Sequence, residues 1–399
     1  MKLLIIDEEF PFPLNSGKRI RTFNLVKGLS RRHRITYLAY GSSDSVGFSA
    51  LMSVGIIPVA VPPPDRRQSG GRFYLRLLAN LISSYPYVVT SHYTNAFRQQ
   101  LQRLISSDRF DVIVCEWTPY ALFLREVHGI KKVIVAHNIE SSIWKRYEEF
   151  EANPFRRAYI TIQRAKVERF EQRCFAWADG ATAVCETEAE QIRGFGVPYS
   201  VEVVANGVDL EYFVPSQTEV DPHEIVFTGS MDWRPNQDAV SFFVHKIFPE
   251  IRARVFQATF TVVGRNPTAA ITALRSLPGI TVTGTVDDVR PYLARAAVCV
   301  VPLRIGGGSR LKVLEALAMS KAVVSTTVGA EGLRVTDEQD ILIADTPQNF
   351  AEKVVALMRD ADRRAKLGKL GRELVENTYG WECLSERFGS YLASVAGQP

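Results

Sequence analysis

The sequence predicts an α/β chain with two parallel sheets, and three observations carry that prediction. Short apolar runs alternate with helical patterns along almost all of its 399 residues. An apolar fraction of 46% supplies packed cores without one long apolar run. The alternation pauses once, at Asn206-Gly207-Val208-Asp209 and the polar, Pro-bearing stretch from Pro215 to Pro222, which divides the chain in two.

The first strand, 2–7, is the run Leu3-Leu4-Ile5-Ile6, which meets acids at Asp7-Glu8-Glu9; that is too short for a signal peptide and argues for the cytoplasm. Helical spacing follows at 18–30, then strands at 35–41 and 55–61, and helices at 71–84 and 94–106. Strands at 111–116 and 131–137 precede one long helical stretch, 140–177, and strands at 180–185 and 200–205 close the first half. Beyond the pause, strands at 224–229, 259–264, 280–285, 298–303, 321–326 and 340–344 alternate with helices at 236–246, 267–275, 288–296, 309–319 and 347–360. A last helix spans about 380–394. Two Rossmann-like domains result, and ligands of such sheets bind beyond the carboxyl ends of the strands, so two facing domains place the reaction in an interdomain cleft.

One stretch is built for an anion. After the run Val298-Cys299-Val300-Val301 come Arg304, Gly306, Gly307, Gly308, Ser309, Arg310 and Lys312, opening a helix. Glycines let backbone N–H groups approach an oxygen, the helix start adds its positive dipole end, and the side chains add charge. Leu311, Leu314, Leu317 and Ala318 share the core face, and Glu315 sits beside it, where an unpaired carboxylate is costly. The two hydroxyls of a ribose offer matching donors; a core carboxylate satisfied by the protein beside an ordinary glycine turn is the alternative.

The stretch from Gly306 to Ala318, with Lys321 to Thr326 and Gly329-Ala330-Glu331-Gly332-Leu333, resembles the donor-nucleotide motif of the retaining glycosyltransferases of family 4, in a Gly-rich variant. The resemblance extends to Asn206-Gly207-Val208-Asp209, to the loop after Val226-Phe227-Thr228-Gly229-Ser230, to Gly284-Thr285-Val286-Asp287 and to Trp381-Glu382. It implies the GT-B fold, with an acceptor-side domain at 1–206, a nucleotide-sugar domain at 207–378, and a C-terminal helix at 379–399 that crosses back to the first domain. It implies that Glu315 holds the ribose, that His137, at the end of the run Val133-Ile134-Val135-Ala136, orients the donor sugar, and that Gly17 lets phosphate or acceptor approach, with Lys18 opening the helix behind it. Read from the residues alone, Lys18 is equally a solvated cation and His137 a structural one. Glu116, ending strand 111–116, is a second cleft candidate for the acceptor.

Two departures from the family pattern stand out. Gly307 occupies the place where the motif often has a second Glu, and Ser230 and Asn236 stand where many relatives carry the Arg and Lys that neutralise the donor diphosphate. A substitute cation is needed, since charge grows on the leaving diphosphate. Arg304, Arg310 and Lys312 are the candidates, with Arg310 and Lys312 expected beside His137 in catalysis. No Asp-x-Asp motif at a strand end offers a divalent ion its ligands, so neither metal nor other cofactor is expected beyond the nucleotide sugar itself.

Charge and cysteines narrow the class further. Residues 1–103 hold 14 Lys and Arg against 5 Asp and Glu, an excess of +9 in a chain whose net charge is +5. No nucleic-acid module accompanies it. Arg66, Arg67, Arg72 and Arg76 adjoin Phe73, Tyr74, Leu75, Leu77 and Leu78, a pattern that suits an anionic membrane surface or a solvated basic helix over an ordinary core. Five dispersed cysteines support neither disulfides nor zinc. The chain thus reads as a cytoplasmic retaining hexosyltransferase, peripheral on the inner face of the plasma membrane if the basic stretch meets lipid, using a glycan or lipid-linked acceptor. A nucleotide-sugar epimerase or hydrolase, or an inactive sugar-nucleotide-binding relative, is the alternative.

Overall fold

The computed structural model describes residues 1–64, 70–305 and 310–397. Arg66, Arg67, Gly306, Gly307, Gly308 and Ser309, and the side chain of Arg72, lie outside the described residues. The chain divides into two compact units, Met1–Ala205 with Leu384–Pro399 and Asn206–Cys383.

The first unit is built on seven parallel strands: β1 (Lys2–Asp7), β2 (Arg34–Tyr40), β3 (Ile57–Val61), β4 (Val112–Cys115), β5 (Lys131–Val135), β6 (Gly180–Ala183) and β7 (Val201–Val203), in the order β3-β2-β1-β4-β5-β6-β7. Leu3, Leu4, Ile5 and Ile6 are all fully buried, as expected of a parallel sheet covered on both faces. The register aligns Ile5 with Tyr37 of β2 and Ile6 with Cys115 of β4, so the carboxyl ends of three strands meet at one edge. Helices α1 (Gly17–Ser30), α2 (Gly71–Leu81), α3 (Glu140–Phe150) and α4 (Pro154–Trp177) lie on this unit.

The long helix expected at 140–177 is two helices. The first stops at Phe150, and Asn153 caps the second, its side chain accepting from the N–H groups of Phe155 and Arg156, while Pro154 takes the first helical position, where its missing N–H costs nothing. Periodicity continues through the break, which is why the pattern alone joins the two.

The second unit has six parallel strands: β8 (Asp221–Thr228), β9 (Thr259–Val263), β10 (Ile280–Gly284), β11 (Ala296–Val301), β12 (Val323–Ser325) and β13 (Leu342–Ile343), in the order β10-β9-β8-β11-β12-β13. Helix α5 (Arg234–Phe242) follows β8, and α6 (Leu311–Ala318) follows β11. A helix over Ala361–Thr378, capped by Asp360, is absent from the expected elements; its apolar positions are sparse and only Leu367, Gly368, Gly371 and Val375 are buried.

Helix α7 (Trp381–Ala396) ends the chain, and its residues from Leu384 on belong to the first unit. Tyr391 fixes it there, its hydroxyl donating to Ser200 O at 2.6 Å and accepting from Ala181 N at 3.0 Å. Gly28 of α1 permits the approach, since a Cβ there would stand 2.2 Å from Ser385 Oγ. Among the described residues no helix is long and apolar enough to cross a membrane.

Candidate functional site

In the second unit the chemistry gathers where β8 and β11 end. The chain leaves β8 through Gly229, runs beside the loop after β9, and enters α5. Gly264, in that neighbouring loop, has no room for a side chain: a Cβ would fall 1.7 Å from Gly229 O. Asn236 of α5 is buried, donates to Ser230 O at 2.8 Å and accepts from Lys312 Nζ at 2.6 Å. Lys312 also lies 4.1 Å above the Phe227 ring.

The three cations singled out in the sequence have different partners. Arg304, half exposed, is paired with Asp238 at 2.6 Å and stacks on Phe242. Arg310, buried, donates to Glu331 at 3.0 Å and opens α6 with φ of 50°, in the left-handed region that non-glycine residues seldom adopt. Lys312 bonds instead to the neutral amide of Asn236. Burial pulls the Lys312 ammonium down to about 7, with Glu315 opposing and Arg310 assisting. Ser230, in the place of the family's Arg, is reached by another cation, for Arg265 Nε donates to its Oγ at 2.9 Å. Arg265 was not among the expected site residues; the run Val262-Val263-Gly264-Arg265, a strand ending in Gly then Arg, carries its signal.

Glu315 lies one helical turn beyond Lys312. Among the described residues its carboxylate accepts no hydrogen bond, and burial pushes it up to about 7 against the pull of Lys312. The acid is partly buried and receives no donor from the described residues, and so is suited to donors from outside the protein.

In the first unit the carboxyl ends of β1, β4 and β5 carry a connected polar cluster. Gly17 begins α1, with Ser16 as its cap, and the next residue, Lys18, reaches back to Asp7 Oδ1 at 2.7 Å and Glu8 Oε1 at 2.8 Å. Asp7 is also held by the Tyr37 hydroxyl, which donates to Oδ2 at 2.6 Å. Burial raises the Asp7 carboxyl to about 6 in spite of Lys18. Burial works against the Lys18 ammonium too, yet Asp7 and Glu8 hold it above the ordinary lysine value.

Glu116, directly after β4, is fully buried, and its Oε2 accepts from Thr22 Oγ1 and from His137 Nε2, each at 3.1 Å. Burial opposes its charge, but His137, Arg21 and Lys18 together keep its pKa below the usual value. Its Oε1 has no partner among the described residues. Burial lowers the His137 pKa, outweighing the pull of Glu116. An ionised Glu116 can only accept, so Nε2 of a neutral His137 carries the proton and Nδ1 keeps its lone pair. Glu116 thus stands behind the imidazole, whereas the sequence suggested separate roles for the two.

The segment after His137 is anchored from below. Glu171, buried in α4, accepts from the backbone N–H groups of Glu140 at 2.7 Å and Ser141 at 3.1 Å, capping α3 from another helix. Beside it, Trp117 Nε1 donates to Glu140 Oε1 at 2.8 Å. Asp7, Arg21 and Glu171 were not among the expected site residues. An acid closing an apolar strand is the signal for Asp7; Arg21 and Glu171 carry none, being charged residues at ordinary helix positions. Among the described residues no three His, Cys, Asp or Glu side chains gather as ligands for a metal ion.

Two family models match, one in each half of the chain. The model described as Glycosyltransferase Family 4 covers residues 84–212, and that described as Glycosyl transferases group 1 covers residues 222–360. A GDP-mannose-dependent alpha-(1-6)-phosphatidylinositol monomannoside mannosyltransferase of Mycobacterium tuberculosis is 27% identical over 234 residues, 52% of this chain and 59% of that protein. Among solved structures, the sucrose-phosphate synthase of Thermosynechococcus elongatus superposes with a TM-score of 0.67 at 17% identity, covering 99% of both chains. Anabaena HepE, solved in complex with UDP, superposes with a TM-score of 0.66 at 12% identity, covering 99% of this chain and 100% of its own. With a parallel α/β sheet in each unit and a family model on each half, the chain has the GT-B fold and belongs to the group 1, family 4 type of glycosyltransferases.

Proposed function

We propose that this chain transfers a hexosyl group from a nucleoside diphosphate sugar to a hydroxyl acceptor, with retention at the anomeric carbon and without a catalytic metal, in the cytoplasm during polysaccharide or glycolipid assembly. The observation that carries the reading is Glu315, a carboxylate that lacks hydrogen-bond donors among the described residues and lies one turn from Lys312 on the helix after β11. A ribose supplies two adjacent donors, and the diphosphate supplies negative charge to Lys312, whose hydrogen bond within the protein goes to the neutral Asn236 amide. The names of two similar proteins support the donor class, one GDP-mannose-dependent and one bound to UDP.

In this reading the acceptor oxygen bonds to the anomeric carbon as the bond from that carbon to the diphosphate breaks, and the acceptor proton passes to the departing phosphate. Lys312 and Arg310 stabilise the growing charge on the diphosphate, with Arg304 and Arg265 at greater exposure. In the first unit His137 orients the sugar and Glu116 positions His137, while Gly17 and Lys18 serve the acceptor or phosphate. The acceptor is a glycan or a lipid-linked saccharide, reached at an anionic membrane surface, and nucleic acid has no part.

The test is a thermal-shift panel of UDP-, GDP- and ADP-sugars followed by turnover with saccharide and lipid-linked acceptors. A ligand that binds the native state alone raises its apparent stability, so one sugar nucleotide should shift the melting point and its nucleoside diphosphate should be released only when an acceptor is present. No shift with any sugar nucleotide overturns the reading. Free sugar released without acceptor turns it into hydrolysis or epimerisation.

A further inference from the structure

Helix α2 presents two apolar faces, and one of them is turned to solvent. The inner face is accounted for: the Phe73 ring meets Tyr87 edge-on at 6.2 Å, and buried Asn80 accepts from Gln163 Nε2 of α4 at 3.0 Å. On the outer face Tyr74, Leu75, Leu78, Leu81 and Ile82 recur at the i, i+1, i+4, i+7, i+8 spacing of a single stripe. They are 63%, 65%, 62%, 36% and 93% exposed. The inner side of the helix end is clamped to α4, where Lys166 Nζ donates to Asn80 O at 2.7 Å and Leu81 O at 3.0 Å. Toward the start of α4, roughly one and three turns before Lys166, Ile162 and Phe155 are exposed as well, Phe155 at 86%. An exposed apolar stripe of this size on one helix marks an interaction surface.

Charge selects the occupant. From Asp65 to Asp108 the intervening sequence contains no Asp or Glu, yet holds Arg66, Arg67, Arg72, Arg76, Arg98 and Arg103. Arg76 on α2 is exposed; at the start of α4 the exposed Arg156 and Arg157 stand beside Phe155, with Glu149 exposed just before the helix. A second copy of the chain laid on this patch would set arginines against arginines, which disfavours self-association. An exposed apolar stripe on a helix that carries Arg76, in a segment whose sequence has arginines and no acids, has instead the form that enters the boundary between headgroups and acyl chains of an anionic bilayer, the apolar side chains going in and guanidinium groups meeting lipid phosphates.

We infer that the outer face of α2, with the start of α4, docks the chain on an anionic membrane surface. The inference rests on the sugar-transfer reading only for its purpose, which is to bring the first unit to a lipid-linked acceptor. Docking itself needs no substrate.

Sedimentation of the full chain with vesicles of phosphatidylcholine, with and without phosphatidylglycerol, tests it. The chain should pellet with the anionic vesicles, be released as salt rises, and ignore the neutral ones. Leu75→Ser with Leu78→Ser should lower the partition coefficient by at least about tenfold, because two exposed leucines no longer leave water on docking. Both residues are exposed, so the melting temperature should hold. Arg156→Gln with Arg157→Gln keeps the stripe and should weaken binding mainly at low salt. Failure of the wild type to pellet with anionic vesicles, or equal pelleting by the double-serine variant, overturns the docking surface. So does a wild-type dimer in light scattering that the double-serine variant reduces to a monomer, since the stripe would then belong to a second copy. Sugar-nucleotide affinity, read by calorimetry in the same variants, should not change, so vesicle binding and sugar transfer stand or fall separately.

Discussion

His137 Nε2 lies 3.1 Å from Glu116 Oε2, and Glu116 is fully buried at the end of the neighbouring strand. The two belong to adjacent strand ends, β4 and β5, so the sheet itself sets their separation. A buried carboxylate that accepts from one ring nitrogen fixes the ring's orientation and its tautomer, and leaves Nδ1 as the atom with a free lone pair.

For sugar transfer, His137→Ala should lower kcat by more than it raises the donor Kd, because its contact improves as charge develops at the anomeric carbon. Glu116→Gln should act through His137. The carboxylate raises the His137 pKa and burial lowers it, so removing the charge lets it fall further. The acid limb of the pH–rate profile should move to lower pH, with kcat reduced by about tenfold, or ~1.4 kcal/mol. An unchanged acid limb in a folded Glu116→Gln variant would leave Glu116 as a purely structural carboxylate.

Glu315→Ala should weaken sugar-nucleotide binding by about 2–3 kcal/mol, the worth of charge-assisted hydrogen bonds to a ribose. The variant should not fall in melting temperature, since the described residues donate nothing to this carboxylate in the free protein and burial opposes its charge. Calorimetry showing wild-type donor affinity would reject the ribose role.

The fold was legible because parallel strands buried on both faces read as uninterrupted apolar runs, and Leu3 to Ile6 is such a run. The pairing of Lys312 with Glu315 was legible too, since they sit one turn apart on one helix and need only local geometry to meet. The first-unit cluster was not. Asp7, Tyr37 and Glu116 come together because β1 lies between β2 and β4, and strand order is a tertiary fact that spacing along the chain does not contain. Glu171 is harder still, because its work is to cap a helix that begins 31 residues earlier.

Lys312 and Glu315 should give donor binding and stability distinct pH signatures. Lys312 must be protonated to meet a diphosphate, and its pKa near 7 means that affinity falls as pH rises through neutrality unless the donor itself raises that pKa. For stability, Glu315 has a folded pKa raised from 4.5 to about 7, so the native state binds the extra proton and stability declines as pH rises across that window. Lys312 has a folded pKa lowered from 10.5 to about 7, so the unfolded state binds the extra proton there and stability climbs above neutrality. Glu315→Gln should remove the decline and Lys312→Met the climb, each read by denaturant unfolding across pH. Parallel curves for wild type and both variants would show that neither group titrates in these windows.

Glu171 offers a test of how the His137 segment is held. It is fully buried and accepts two backbone N–H groups at the start of α3. Burial nevertheless pushes its carboxyl up to about 7, with those hydrogen bonds opposing. Glu171→Ala strands the N–H groups of Glu140 and Ser141 away from their acceptor and should cost about 2 kcal/mol of stability. Glu171→Gln keeps an acceptor oxygen and removes the charge. Because the folded pKa exceeds the unfolded one, the wild type loses stability as pH rises from 4.5 to about 7, and the Gln variant should lose none from this source. At pH 8 the Gln variant should therefore equal or exceed the wild type, while the Ala variant falls below both. In kinetics the Ala variant should lower kcat as well, since the helix start it frees lies three residues after His137. Full activity in a folded Glu171→Ala protein would show that the cap stabilises α3 without positioning His137.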